Sequence, residues 1–278
     1  MSLKQTETSK NISLKKETKL YYPEFSYLEP YFNGEKRLFD KAKIVSAVNI
    51  KGGVGKSTIV GNILKLPNSV IINLDEAQNP TSINSNSIET INYYDYKDKV
   101  DIVTMIETLR ENYDYIIIDT PGALNEEVLK ILPLINYFIV PFVEGLRSIT
   151  ATINVTVIEI NEILEGLVVQ GKMLNRKDKW AFVYNRYKNE FEFQVDKKEL
   201  ENIFKDILQE RFKTLAGLKN SDVIRHLENH GKNIEEFYNE QPTYCYKFFG
   251  QASIFNKKLY KDFFELDKVA RQKGVKNV

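Results

Sequence analysis

The residues with the clearest chemistry lie in a glycine-rich stretch that runs from Lys51 to Thr58. Its sequence, Lys-Gly-Gly-Val-Gly-Lys-Ser-Thr, satisfies the pattern G-x-x-G-K-[ST]. Glycines allow backbone N–H groups to curl around phosphate oxygens, a lysine at position 56 can reach the β- and γ-phosphates, and the Ser57 hydroxyl can ligate Mg²⁺. The candidate phosphate-binding residues are Gly52, Gly53, Val54, Gly55, Lys56, Ser57 and Thr58. The stretch is therefore a candidate site for a nucleoside triphosphate with Mg²⁺.

The longer pattern G-x-x-x-x-G-K-[ST] fails only at its first position, where Asn49 or Ile50 stands in place of glycine. An apolar run precedes the stretch and a helical pattern follows it, which is the context in which such a loop binds phosphate. The N-terminus of that helix adds the positive end of its dipole. An ordinary glycine-rich turn between a strand and a helix is the alternative, and Lys-Ser-Thr at the helix start argues against it.

Short apolar runs and helical patterns alternate along the chain and must position this loop. The apolar runs cover residues 43–50, 69–75, 113–122, 137–142 and 179–185. They lack polar alternation, which is typical of strands buried on both faces of a parallel sheet. Helical patterns cover residues 58–65, 101–112, 147–167, 197–216, 221–230 and about 256–272. The alternation predicts an α/β fold with a doubly wound, mainly parallel sheet and helices on both faces.

Composition narrows the class of protein. The 278 residues carry 39 Lys plus Arg against 38 Asp plus Glu, a net charge of +1, which excludes a strongly basic chain but leaves room for a local basic face. The single cysteine excludes an intramolecular disulfide and a zinc or iron–sulfur site built on paired cysteines. The chain has no apolar run long enough for a transmembrane helix and no secretory signal at its start, so a cytoplasmic location is expected.

The N-terminal part differs from the rest. Residues 1–42 form an extension, of which about the first 20 are polar and expected to be disordered. Residues 21–42 are rich in aromatic side chains, which need cover, so this segment is expected to lie against the main domain or a partner. Residues 43–278 are expected to form one domain.

The loop also carries a family resemblance. Lys-Gly-Gly-Val-Gly-Lys-Ser-Thr resembles the deviant Walker A motif of the ParA/MinD ATPases, whose mark is a second lysine at the start of the loop, here Lys51. The resemblance implies ATP as the nucleotide and a dimer that closes on it, in which Lys51 reaches the partner's phosphates. A cation there would neutralise the charge that develops during phosphoryl transfer. Lys51, Lys56 and Asp75 are then the candidate catalytic residues.

Two further segments match the family in order. Residues 73–79 resemble the switch I segment D-x-D-P-Q-G-N, with Asn73 in place of the first Asp, no proline and one extra residue before Gln78. Asp75 matches the second Asp, which positions the attacking water. Residues 116–121 match the Walker B and switch II segment, in which Asp119 would hold Mg²⁺ together with Ser57. A strand-ending Asp that caps the next turn is the alternative for Asp119.

The resemblance extends to the second half of the chain. Residues 183–187 resemble a strand end whose Asn, here Asn185, recognises adenine through an amide that presents a donor and an acceptor together. A turn Asn after a strand is the alternative. Residues 223–234 resemble a ParA segment that ends in a similar His-Gly-Lys stretch, which is closer to ParA than to MinD. The resemblance covers about residues 43–272.

Three weaker features have plain explanations beside functional ones. His226 and His230 are spaced to share a metal ion, but no third ligand is evident and a solvated helix face is favoured. Cys245 is expected to be a buried small hydrophobe. Residues 257–276 carry a net charge of +4 among apolar residues. This last segment is interpreted as a docking helix with solvated lysines, a basic edge that faces DNA, or a membrane-binding helix, and membrane binding is the least favoured.

The resemblance implies a ParA-type ATPase that partitions a plasmid or a chromosome. Its basal rate of ATP hydrolysis is expected to be low. ATP closes a homodimer, the dimer binds DNA without sequence preference at the nucleoid, and a ParB-like activator triggers hydrolysis. The candidate DNA-binding residues are Lys188, Lys219, Arg225, Lys257, Lys258 and Lys261. A MinD-like positioning ATPase on a membrane or protein scaffold is the alternative, and a metabolic relative such as an amide-forming ligase is a third hypothesis.

Overall fold

The computed structural model describes residues 23–76, 88–143, 146–188, 190–214, 217–219 and 221–275. The expectation of disorder for about the first 20 residues, and the comparison of Gln78 and Asn79 with switch I, lie outside the described residues. The strands are β1 (Lys43–Ala47), β2 (Ser69–Asn73), β3 (Glu89–Asn92), β4 (Tyr115–Asp119), β5 (Tyr137–Phe142), β6 (Lys179–Tyr187), β7 (Phe212–Thr214) and β8 (Leu218–Lys219).

The α-helices are α1 (Glu29–Phe32), α2 (Lys56–Thr58), α3 (Ile102–Leu109), α4 (Glu126–Ile131), α5 (Leu146–Ala151), α6 (Glu159–Val169), α7 (Glu190–Leu208), α8 (Asp222–His230), α9 (Ile234–Glu240), α10 (Pro242–Lys258) and α11 (Leu266–Gln272). Wider π-helical turns extend α2 over Ile59–Ile63, join α5 to α6 over Thr152–Ile158 and extend α10 over Leu259–Phe263. The helices therefore fall between and after the strands, as the alternating pattern predicts.

The strands form one sheet in the order β3-β2-β4-β1-β5-β6-β7, with β8 paired to β6. Every pairing in the described part of the chain is parallel. The prediction of a doubly wound, mainly parallel sheet is confirmed. Because β1, β2 and β4 are parallel, the segments that follow them emerge at the same edge of the sheet.

Both faces of the sheet are covered. On β1, Val45 belongs to one buried cluster and Ile44 to the other, since neighbouring side chains of a strand point to opposite faces. The first cluster contains residues of the π-helical extension of α2 and of α8 to α11, and the second contains residues of α3, α4, α6 and α7. This double cover explains why the strands are apolar without alternation.

Two predicted helices are wrong in part. The helix predicted over 197–216 ends at Leu208, and Phe212 instead begins β7, which pairs with Trp180 of β6. The Phe212 ring packs against Phe182 and Phe204. Phe212 is therefore apolar because it is part of the sheet, and not because a helix continues through it. The helix predicted over 256–272 is divided by Glu265, whose left-handed φ of 52° ends one helix before the next begins. The pattern also missed α9, β3 and the first part of α10.

The aromatic segment of the N-terminal extension packs on the main domain, which confirms that its side chains are covered. Phe25, Leu28 and Tyr31 are buried in the cluster that contains α10 and α11. The Phe25 ring meets Tyr260 edge to face at 5.3 Å between centroids, and the Tyr27 hydroxyl donates to the Asp267 carboxylate. Residues 23–42 are thus part of the same core as the sheet.

We expect Leu28→Ala to lower the free energy of unfolding by about 2–5 kcal/mol, because Leu28 has no exposed surface and its truncation leaves a cavity. Urea unfolding followed by circular dichroism measures the change. Leu174→Ala is the matched control: the Leu174 side chain is 99% exposed, and its truncation should change the stability by less than about 0.5 kcal/mol. Equal effects of the two substitutions on stability would contradict the conclusion that residues 23–42 are part of the core.

Candidate nucleotide-binding site

The glycine-rich loop joins the end of β1 to the start of α2. Gly53 and Gly55 have left-handed φ values of 73° and 92°, which explains glycine at these two positions. A Cβ atom at Gly55 would also overlap the side-chain amide nitrogen of Asn185. The loop is therefore shaped both by its own backbone and by a residue from the end of β6.

The Asn49 side chain fixes the start of the loop through hydrogen bonds. Its Nδ2 donates to the Pro141 carbonyl (2.8 Å) and to the Thr152 hydroxyl (2.9 Å), and its Oδ1 accepts from the Lys51 backbone N–H (2.8 Å). The Asn49 side chain is buried. An asparagine in this part of the loop thus ties it to β5 and to the helix that follows, which a glycine could not do.

Lys56, Ser57 and Asp119 come together where α2 begins and β4 ends. All three are buried, and within the described ranges neither the Ser57 Oγ nor either carboxylate oxygen of Asp119 has a hydrogen-bond partner. Buried polar atoms are seldom left without partners unless they serve a ligand. Hydroxyl and carboxylate oxygens are the ligands that Mg²⁺ prefers, so these residues fit the metal ion that the loop implies.

Burial and charge set the protonation of this group. Burial raises the pKa of Asp119 to about 7, while the nearby Ser57 hydroxyl and then the Lys56 ammonium act in the opposite direction. Burial lowers the pKa of Lys56, and Asp119 and Asp75 oppose that shift. Bound cations favour the ionised carboxylate and bound phosphates favour the charged lysine. The group is thus complementary to a metal–triphosphate complex.

Asp75 lies beside this group at the end of β2. Asn73 organises the turn: its Oδ1 accepts from the Asp75 backbone N–H at 2.9 Å, and its Nδ2 donates to the Asp75 carbonyl at 3.3 Å. The Leu74 N–H donates to the Asp119 carbonyl (2.9 Å), and the Leu74 carbonyl accepts from the Tyr94 hydroxyl (3.2 Å). Asn73 therefore replaces the carboxylate of the family pattern with a turn-forming amide, and Asp75 is held near Lys56.

Asn185 is fully buried at the end of β6, against the loop. Its Nδ2 donates to the Val54 carbonyl at 2.8 Å, and its Oδ1 is buried without a hydrogen-bond partner in the described part of the chain. The amide donor is therefore engaged by the protein, and the acceptor is the atom left for a ligand. Recognition of adenine by Asn185 stays a prediction. Only the Oδ1 acceptor could take part in it, because the Nδ2 donor already binds the Val54 carbonyl.

Lys51 differs from Lys56 in its surroundings. Lys56 is 6% exposed, whereas Lys51 is an exposed residue whose ammonium has no ion pair or hydrogen bond among the described residues. One lysine of the loop thus faces the phosphate site of its own chain, and the other projects into solvent.

Helix α8 supplies residues that sequence reasoning missed. A cavity of about 330 Å³ opens beside the loop, and its lining includes Arg186, Glu228 and Asn229. The Thr58 hydroxyl donates to the Glu228 carboxylate, which also accepts from Arg186 at 3.1 Å. The resemblance of residues 223–234 to a family segment does not indicate which of their side chains faces the loop.

The first group of candidate DNA-binding residues lies near the carboxyl ends of the strands. Lys219 stands opposite Tyr187 in the pairing of β8 with β6, and the Lys219 backbone N–H donates to the Gln251 side chain at 3.1 Å. Lys188 follows β6 directly, and Arg225 lies on α8, which begins soon after β8. These three residues are exposed. They therefore border the end of the sheet that holds the loop.

The second group, Lys257, Lys258 and Lys261, lies elsewhere. The preceding Asn256 donates to the Ile63 carbonyl at 2.9 Å, where the extension of α2 ends shortly before the start of β2. Because the strands are parallel, this is the opposite edge of the sheet from the end of β6. Lys257 is also paired with Glu24 at 2.6 Å. The structure thus does not bring the two groups of candidates together.

The weaker features have structural explanations. Cys245 is fully buried, which confirms its expected role as a small hydrophobe. Within the described ranges, no cluster of three His, Cys, Asp or Glu side chains could hold a metal ion, so His226 and His230 gain no third ligand. Phe263 and Phe264 are buried in the core, whereas Lys258 and Lys261 of this segment are exposed. Of the helices described here, none is both long and apolar enough to span a membrane.

The fold is similar to those of solved structures. The chain aligns with the ATP complex of a Cyanothece McdA variant over 86% of its length and 99% of the McdA chain, with 13% identity and a TM-score of 0.52. A ParA family ATPase from Chlorobium tepidum aligns over 77% of this chain and 98% of its own, with 13% identity and a TM-score of 0.49. The likeness to the McdA structure shows that the chain has an α/β fold of the P-loop NTPase kind.

Sequence comparison adds one distant relative. An uncharacterised protein of Methanocaldococcus jannaschii is 24% identical over 223 residues, which cover 78% of this chain and 80% of that protein. No protein-family model matches the sequence. The similarity of fold is thus shown by comparison of structures, and the sequence identity to these proteins is low.

Proposed function

We propose that the protein is an ATP-hydrolysing switch that dimerises with ATP and partitions DNA. The observation that carries this proposal is the buried group of Lys56, Ser57 and Asp119, in which neither the Ser57 hydroxyl nor the Asp119 carboxylate has a hydrogen-bond partner in the part of the chain that the structure describes. A lysine, a hydroxyl and a carboxylate at the start of a helix are what a magnesium–triphosphate complex requires. The ParA/MinD-type fold supports ATP as the nucleotide.

The residues of the chain divide the work in this proposal. The loop amides and Lys56 bind the β- and γ-phosphates, and Ser57 and Asp119 hold Mg²⁺. Asp75 orients the attacking water, and the free Oδ1 of Asn185 accepts from the adenine amino group. Mg²⁺, once bound, supplies charge neutralisation for the leaving phosphate oxygens.

Lys51 acts on the second subunit. Its exposure and its lack of an ion pair in the described part of the chain support a role in which the ammonium reaches the nucleotide of a partner copy. Dimerisation then depends on ATP, because each loop lysine gains its phosphate ligand only in the closed dimer. A ParB-like activator would act on this closed state.

DNA is favoured as the partner because Lys188, Lys219 and Arg225 are exposed near the edge of the sheet that holds the nucleotide loop. Binding without sequence preference would rest on phosphate contacts. A MinD-like role on a membrane finds less support, since Phe263 and Phe264 of the basic C-terminal segment are buried in the core. Retention on nonspecific duplex DNA or on anionic vesicles, each with and without ATP, separates the two.

We expect the native chain to be retained on duplex DNA only with Mg·ATP, and Lys51→Ala to lose this retention while it still binds ATP. Its rate of hydrolysis should fall by about 100-fold or more, because a cation that neutralises the transferring phosphoryl group is removed. Phosphate release, light scattering after size exclusion and DNA retention measure the three properties. Native hydrolysis in Lys51→Ala would reduce Lys51 to a loop residue, and retention on vesicles alone would favour the MinD-like role.

A further inference from the structure

An oriented carboxylate, that of Glu228, lines the cavity beside the loop. Glu228 lies on α8, and its Oε1 accepts from the Thr58 hydroxyl and from Arg186 Nη2 at 3.1 Å. Its Oε2 has no hydrogen-bond partner within the ranges that the structure describes. The side chains of Glu228 and Arg186 are each 34% exposed. One acceptor of this carboxylate is thus fixed by the protein, and the other is available at the cavity.

The backbone at Arg186 supports a functional role for this contact. Arg186 has a left-handed φ of 58°, which a residue with a side chain adopts at a cost. It directly follows Asn185, which is locked against the loop. The turn therefore aims the guanidinium at Glu228 although the local backbone disfavours it.

The chemistry of the cavity decides which part of a nucleotide could meet Glu228. A carboxylate repels phosphate oxygens, so its free oxygen is unsuited to the triphosphate, and the Arg186 guanidinium offsets its charge beside the phosphate loop. The two ribose hydroxyls are neutral donors that lie one linkage beyond the α-phosphate. Carboxylates that accept from ribose hydroxyls are a general device of nucleotide recognition.

We propose that Glu228 accepts hydrogen bonds from the ribose hydroxyls of the bound nucleotide, and that Thr58 and Arg186 are positioning residues for its carboxylate. This proposal rests on the proposed nucleotide binding at the loop. It makes the site selective for a ribonucleotide over its dideoxy analogue, and it gives helix α8 a direct contact with the ligand. The sugar contact also links the loop to a helix 170 residues further along the chain.

The test compares the affinities of the full chain for Mg·ATP and Mg·2′,3′-dideoxy-ATP by calorimetry. The native chain should bind ATP about tenfold more tightly or better, as expected for hydrogen bonds to a charged acceptor. Glu228→Ala should bring the two affinities to within about twofold of each other. Glu240→Ala is the matched control, because Glu240 lies on neighbouring α9, pairs with Lys232 and is outside the cavity lining. It should keep the native ratio.

The ratio of the two affinities distinguishes recognition from support of the fold. If Glu228→Ala weakened both nucleotides equally and kept the native ratio, Glu228 would only support Thr58 and the proposal would be overturned. Equal affinities in the native chain would overturn it as well, with ATP binding itself intact. Absence of ATP binding by the native chain would instead contradict the proposed function, and the ribose contact with it.

Discussion

Replacing Lys56 by alanine should abolish measurable binding of Mg·ATP, with a loss of affinity of about 100-fold or more. Lys56 is 6% exposed and stands beside Asp119 and Asp75, which leave the pocket acidic without it. Removal of the ammonium would therefore take away the main neutralising charge for the triphosphate and leave Asp119 to repel it. Calorimetric titration with Mg·ATP measures the loss.

Lys51→Ala is the matched control for this experiment. It removes the same charge from the same loop, but from a side chain that projects into solvent. It should keep the native affinity for ATP within a few-fold. Native affinity in Lys56→Ala would contradict the assignment of the loop, and equal losses in both variants would show that the loop responds to total charge rather than to the position of Lys56.

The loop and the strands β1, β2, β4, β5 and β6 were predictable because their signals are local. Triple isoleucine before Asp119 marks a strand buried on both faces, and the structure contains it as β4. Gly53 and Gly55 adopt the left-handed values that only glycine tolerates well. Each of these features depends on neighbours in the sequence, so the pattern alone is sufficient.

The contacts that complete the site were not predictable because they join distant segments. Asn49 could be read only as a missing glycine, whereas its side chain ties the loop to Pro141 and Thr152. The Thr58–Glu228 contact joins the loop to a helix near the other end of the chain. No periodicity marks such partners, since they arise only when the sheet order brings their elements together.

The prediction that failed for residues 197–216 has a related cause. Phe212 continues the apolar spacing of Phe204 and Leu208, so the pattern favours one long helix. The chain instead leaves the helix, with a left-handed φ of 55° at Gln209, and Phe212 pairs with Trp180. Pairing with an available sheet edge outweighs a weak helical preference.

Asp75→Ala should trap an ATP-bound dimer that hydrolyses about 10²- to 10⁴-fold more slowly than the native chain, with ATP binding preserved. The loss of a carboxylate that orients water removes an interaction made in the transition state. In the proposed complex the phosphates are held by the loop amides and by Lys56, and Asp75 is assigned to the water rather than to the phosphates. Binding and turnover should therefore separate.

The structure also identifies the neighbour that must be tested with it. Glu76 follows Asp75 and pairs with Lys97 at 3.8 Å, so a second carboxylate lies in the same turn. Size exclusion with ATP and a single-turnover assay, applied to Asp75→Ala and to Glu76→Ala, assign the role. A monomeric Asp75→Ala that hydrolyses at the native rate, beside a slow Glu76→Ala, would transfer the water-orienting role to Glu76. Because Asn73 fixes the Asp75 backbone through two hydrogen bonds, we expect the reverse: slow turnover in Asp75→Ala and nearly native turnover in Glu76→Ala.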